Sequence, residues 1–110
     1  MSDAFKDREK AHEDKWAHEQ ALRFKIVARR NKLVGLWAAA ELGLSGEKAE
    51  DYAKSVVAAD LTGAGGQDVL RKIRGDFDAA GLGHSDSTLH AKLEEFLAAA
   101  RDQIMNRPKT

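Results

Sequence analysis

Apolar side chains recur at three- and four-residue intervals along most of this chain and never alternate as in a strand, which predicts an all-α protein. Leu22, Ile26, Leu33 and Trp37, flanked by Val27, Val34, Ala38 and Leu36, form one broad stripe to be buried. The stripe belongs to a first helix expected over about residues 3–42 and stopped by Gly43. Ser45 can cap a second helix over about residues 46–61, with Glu47 in its first turn and Ala49, Tyr52, Ala53, Val56, Val57 and Leu61 facing inward. The run Thr62, Gly63, Ala64, Gly65, Gly66 breaks it. A third helix over about residues 67–80 turns Val69, Leu70, Ile73 and Phe77 inward and ends at Gly81. After a polar turn at residues 83–85, a fourth helix over about 86–106 buries Leu89, Leu93, Phe96, Leu97, Ala100 and Ile104 until Pro108 ends it. Four helices with short connections predict an antiparallel bundle or an irregular relative of one.

The start of the chain departs from this pattern. From Asp3 to Gln20 there is no Gly or Pro, and Ala, Glu, Lys, Arg and Gln favour helix, yet the only bulky apolar side chains are Phe5 and Trp16. They stand eleven residues apart, close to three turns, so a helix carries them on one face about 16 Å from each other. Pairs such as Asp7 with Lys10, Lys10 with Asp14 and Glu19 with Arg23 add only tenths of a kcal/mol each. The expected architecture is therefore an all-α four-helix bundle over residues 21–110 with a projecting, partly disordered helical segment at residues 1–20. Two uses of Phe5 and Trp16 remain open: anchors for another molecule, or side chains that fold back onto the bundle.

Composition removes several function classes. There is no cysteine, hence no disulfide framework and no thiolate metal site. The longest weakly charged stretch, Leu33 to Ala40, is far too short to span a bilayer, and the N-terminus lacks the apolar core of a signal peptide, so the expectation is a soluble cytoplasmic chain with no membrane insertion. Eighteen basic and eighteen acidic residues cancel, which argues against a dedicated nucleic-acid binder. The balance is uneven, with nine basic against six acidic residues in the first 32. The run Arg23, Lys25, Arg29, Arg30, Lys32 holds no acid and suggests a nucleic-acid or anionic-lipid patch, but its plainer use is a solvated helix face pairing with acids such as Asp60, Asp76 and Asp78.

Candidate chemistry is sparse. His12–Glu13 and His18–Glu19 each begin like a zincin motif, but Trp16 and Leu22 occupy the positions of the second histidine, so no metal is expected. His12, set among acids, remains a candidate for pH response. The glycine run at residues 63–66 lacks the lysine and hydroxyl of a Walker loop and follows a helix, leaving at most weak phosphate binding by amides at the start of the third helix. No nucleophile is paired with a base, Glu94 and Glu95 point apart on their helix, and Ser45, Ser85 and Ser87 read as caps and turn residues. Neither catalytic residues nor a cofactor are expected.

The pattern Phe5, Arg8, Glu9, Ala11, Lys15, Trp16, Ala17, His18, the run ARRNKLVGLWAAAELGLSG at residues 28–46, and the positions Tyr52, Ala53, Val56, Val57, Ala59, Asp60, Asp68, Val69, Arg71 and Lys72 resemble the alphaproteobacterial zeta subunit, the small inhibitor of the F-type ATP synthase. The sequence differs from that family's pattern at Trp16, where phenylalanine is expected, and at Lys6, where an acid is common. The resemblance implies a four-helix protein whose N-terminal segment enters the catalytic head, formed by alpha, beta and gamma subunits, and stops ATP hydrolysis. The partner-binding residues it implies are Phe5, Arg8, Glu9, Ala11, Lys15, Trp16, His18 and Glu19. It also implies a cytoplasmic protein, monomeric when free and peripheral to the inner membrane when bound. The alternative is a general helical interaction module that binds another protein through the Leu22 to Trp37 stripe.

Overall fold

The computed structural model describes the backbone of residues 2–61 and 65–106 and the side chains of residues 14–61 and 65–106. Four helices, α1 Ser2–Glu41, α2 Gly46–Ala59, α3 Gln67–Ala79 and α4 Asp86–Asn106, account for the fold, and no strand occurs among the described residues. Each helix boundary lies within two residues of the sequence expectation. The 40 residues of α1 form one unbroken helix about 60 Å long, which sets the 67 Å long axis of the molecule.

Glycine closes two of the helices in the same way. At the end of α1, Gly43 adopts a left-handed φ of 81°, its N–H donates to Ala40 at 3.0 Å, and the N–H of Leu44 donates to Ala39 at 2.8 Å. At the end of α3, Gly81 has φ 74°, its N–H reaches Asp78 at 3.1 Å and that of Leu82 reaches Phe77 at 2.9 Å. Both are Schellman motifs, which turn the chain sharply while satisfying the last carbonyls. Ser85 caps α4 by accepting the Thr88 N–H at 3.1 Å. Ser45 stands at the N-cap of α2, but its side chain makes no capping bond, so that expected contribution is absent.

The core lies where the four helices meet: Val34 and Ala38 of α1, Val56 of α2, Val69, Ile73 and Phe77 of α3, and Leu89 and Leu93 of α4. Trp37, Leu42, Tyr52, Leu70, Leu82 and Phe96 pack around it partly buried. Helix α1 is the spine, packed mainly by α2 and α4, and α3 touches each of the others. Two pairings show that both main partners run antiparallel to α1. Gly35 abuts Ala53 while Asn31 bonds Asp60, and Lys92 lies over the Trp37 ring while Arg29 bonds Gln103. α1 and α2 approach closely at Gly35, where an added Cβ would lie 2.9 Å from the Cα of Ala53.

Three expectations need correction. Leu61 does not face inward; α2 ends at Ala59, and Leu61 is 85% exposed. Arg30 is not on a solvated face but is a fully buried side chain beside Asn31. The pairing of the basic run with Asp76 and Asp78 does not occur, because Lys72 and the Tyr52 hydroxyl take Asp76 while Arg74 takes Asp78.

Candidate functional site

The α1 helix leaves the bundle long before it ends. Ile26 is its first buried side chain, and every described side chain from Asp14 to Lys25 is exposed except Leu22, which is partly covered. Among the described residues, no side chain from Asp14 to Lys25 has a hydrogen-bond or ion-pair partner, so the expected Glu19–Arg23 pair does not form. Lys15, Trp16, His18 and Glu19 all lie on this arm. Glu19 neighbours both Lys15 and Trp16 at i+4 and i+3 spacing, and His18 stands at i+3 from Lys15, on the other side of it from Trp16. Trp16 is 65% exposed and therefore does not fold back onto the bundle. Phe5, Arg8, Glu9 and Ala11 lie on the backbone of α1, their side chains outside the described residues, as are those of His12 and Glu13.

The base of the arm is fixed by a buried polar knot. The Arg30 Nε donates to Asn31 Oδ1 at 3.0 Å, Asn31 Nδ2 donates to Asp60 Oδ2 at 2.7 Å, and the Arg30 guanidinium stands 3.9 Å from the same carboxylate. Burial pushes the Arg30 pKa down from its ordinary value, and the negative charges of Asp60 and Glu94 oppose that shift. A cation in an apolar core is tolerable only with such partners, and the described residues contain no buried side-chain nitrogen or oxygen without a hydrogen bond. The knot ties the end of α2 to α1 where the arm begins. The sequence hinted at it only through Asp60, named as one acid among three.

At the other end of the bundle, His84 lies 3.1 Å from Glu41 and packs with tilted ring planes against Phe77 and Trp37, with ring centroids 5.1 and 5.7 Å away. Nothing in the residue pattern distinguishes this histidine. Asp68, whose Oδ2 accepts the Leu61 N–H at 3.1 Å, sets a negative charge in the first turn of α3, where the phosphate reading needs an anion. Gly63 and Ala64 lie outside the described residues. Among the described residues no group of three His, Cys, Asp or Glu is placed to hold a metal, and no helix is long and apolar enough to cross a membrane.

The sequence profile of the family described as ATPase inhibitor subunit zeta matches residues 1–103. The chain belongs to this family. It is also similar to a protein solved by solution NMR, with 45% identity over 79% of this chain and 99% of that one and a TM-score of 0.68. No curated protein sequence matches the chain. The family match takes in the exposed arm together with the bundle.

Proposed function

We propose that this zeta subunit inhibits ATP hydrolysis by the F-type ATP synthase, its N-terminal arm entering a cleft of the catalytic head while the four-helix body stays outside. The observation that carries the reading is the arm itself: a continuous helix whose described side chains before Ile26 contribute almost nothing to the core. A surface rod of this kind gains its stabilisation from a partner, through aromatic side chains that fill pockets and charges that pair along the walls. Phe5 and Trp16 are the anchors in this reading, and Arg8, Glu9, Ala11, Lys15, His18 and Glu19 line the contact. The inhibition is steric and involves no chemistry of the subunit's own. Residues 1–20 are then the inhibitory segment and 21–110 the body, and the subunit is a monomer until it docks, peripheral to the membrane through the synthase.

The general interaction-module alternative is weakened by packing. Its proposed docking stripe, Leu22 to Trp37, is spent inside the protein, with Ile26 and Val34 buried and Leu33, Leu36 and Trp37 partly covered. The deciding experiment is an ATPase assay on the purified catalytic head with the full chain and with residues 1–19 deleted. The full chain inhibits and the deletion does not, while the deleted protein keeps a cooperative thermal transition. Equal inhibition by both proteins rules out insertion.

A further inference from the structure

The bases of the later helices and those of α1 are treated differently by the fold. On α3 and α4, Arg71, Lys72, Arg74 and Lys92 each hold a carboxylate, at 3.4, 3.1, 2.8 and 3.2 Å. On α1 there is no acid from Gln20 to Ala40. Arg30 is buried beside Asp60, but Arg23, Lys25, Arg29 and Lys32 have no ion-pair partner among the described residues. Three of these four share one face. His18, Lys25 and Lys32 follow at seven-residue intervals, two turns to within about 20°, and Arg29 stands at i+4 from Lys25 and three residues before Lys32. Lys25 precedes the buried Val34 by nine residues, about two and a half turns, so the row looks directly away from the core. Packing agrees with that bearing. Lys32 borders a groove completed by Glu50, Ala53, Lys54 and Val57 of α2, and Arg29 reaches Gln103 of α4 at 3.4 Å, so the row runs along the outer face of α1 between its two flanking helices.

Like charges three and four residues apart on a helix repel by tenths of a kcal/mol per pair. Elsewhere this chain avoids that cost by setting acids at the same spacings, as in Arg71 with Asp68, Lys72 with Asp76 and Arg74 with Asp78. The Lys25–Arg29–Lys32 row carries the repulsion without an acid to relieve it, so carboxylates brought by a partner gain there twice, by attraction and by relief. The row is one side chain wide and about 10 Å long from Lys25 to Lys32. Glu50 stands beside Lys32, and the chain beyond residue 32 holds nine bases against twelve acids, so a broad polyanion such as nucleic acid meets mostly like charge around it. A line of discrete protein carboxylates fits the row better.

We propose that Lys25, Arg29 and Lys32 form a docking row for aspartate and glutamate side chains on the outer surface of the catalytic head, engaged beside the cleft as the arm enters it. This rests on the insertion reading above. The arm and the row belong to one unbroken helix, and Lys25 stands nine residues, about 13 Å, behind Trp16. A head that grips the arm around Trp16 therefore has its surface within reach of the row, at a bearing the helix fixes. Because Lys25 and Lys32 are exposed, their attraction acts before contact and is screened by salt, so the row speeds and orients the arrival of the arm.

The test uses the full chain carrying Lys25→Glu with Lys32→Glu, the neutral pair Lys25→Gln with Lys32→Gln, and Trp16→Ala for comparison. The control is Lys48→Glu with Arg101→Glu, which makes the same change in net charge at two exposed bases off the row. Association rate with the purified catalytic head, the concentration for half-inhibition at low and high salt, and thermal midpoint are measured for each. The row reversal associates at least tenfold more slowly than the parent at low salt, with a flatter salt dependence, the neutral pair falls between them, and neither lowers the thermal midpoint. The off-row control stays within about threefold of the parent. A row reversal that matches the off-row control in rate and potency overturns the row, and insertion still stands if Trp16→Ala loses potency. A parent that does not inhibit the head overturns both. If the parent binds phosphatidylglycerol vesicles through the row while the row reversal inhibits as well as the parent, the row belongs to a lipid surface and the carboxylate partner is refuted.

Discussion

Replacing Gly35 by alanine should weaken the body, although alanine is the better helix former. Alanine in a helix interior is favoured over glycine by about 1 kcal/mol. Against that, the new methyl would lie 2.9 Å from the Cα of Ala53 and 3.2 and 3.3 Å from the Cβ atoms of Val56 and Ala53. The nearest neighbour is backbone, so the strain cannot be relieved by turning a side chain; α1 and α2 have to slide or separate. Overpacking of this kind costs about 1–3 kcal/mol, which outweighs the propensity gain and leaves a net loss of about 1 kcal/mol. The same substitution at Gly75, in the exposed middle of α3 with nothing within 4 Å, meets no such contact. There the propensity term acts alone and stabilises by roughly 0.5–1 kcal/mol. The two variants should differ by about 2 kcal/mol, a separation of about 8–16 °C in thermal midpoint for a domain of this size. Thermal unfolding followed by far-ultraviolet circular dichroism measures it. If Gly35→Ala melts at or above Gly75→Ala, the close crossing of α1 and α2 is not what holds the body together.

Asp60→Ala removes the nearest carboxylate from the buried Arg30 and the acceptor from Asn31, and should destabilise by about 3 kcal/mol in chemical denaturation, although Asp60 sits at a helix end. The Tyr52 hydroxyl donates to Asp76 at 2.7 Å, and burial first, then that bond and the carboxylate charge, push its pKa above the ordinary value. A pKa raised on folding means that the stabilisation is fully present below the unfolded value of about 10 and is lost as pH rises above it; Tyr52→Phe should remove that alkaline step from a plot of stability against pH. Trp16→Ala should leave the thermal midpoint unchanged, because the ring is 65% exposed, while weakening inhibition by about 2 kcal/mol, roughly thirty-fold. Equal potency of Trp16→Ala and the parent would remove this ring from the contact.

The helices were legible because their signals are local. Gly43 and Gly81 each sit one residue beyond a helix cap, where a left-handed turn is needed, and the apolar repeats of α3 and α4 map directly onto Val69, Ile73, Phe77, Leu89, Leu93 and Ala100. The arm was legible as a scarcity of bulky apolar residues before Leu22, with Phe5 and Trp16 alone between Asp3 and Gln20. The rest depends on how one helix meets another. Arg30 looks like its neighbours in a basic run and differs only because the antiparallel register brings Asp60, thirty residues on in the chain, to it and to the adjacent Asn31. Leu61 continues the spacing of α2 but falls after the helix has ended, because Asp60 turns away at ψ 96° and is held by Asn31. Phe24 carries the apolar character of the buried stripe yet lies just outside the reach of α2, a boundary set by where a different segment stops. His84 acquires Glu41, Phe77 and Trp37 only once α1 and the α3–α4 connection are brought together.

The unbroken α1 also works as a ruler with a fixed phase. Trp16 and Val34 are eighteen residues apart, five full turns at about 100° per residue, so the azimuth of the exposed indole is locked to that of a side chain sealed in the core. With no glycine or proline between them, the helix has no joint at which the two could be adjusted independently. Inserting one alanine between Ala21 and Leu22 would alter no existing side chain, yet it would swing the whole arm through about 100° while lengthening it by only about 1.5 Å. Inserting seven residues would return the arm to within about 20° of its original bearing and extend its reach by about 10 Å. Orientation and reach are thus written into this subunit as separate quantities, one read modulo a turn and the other read as length.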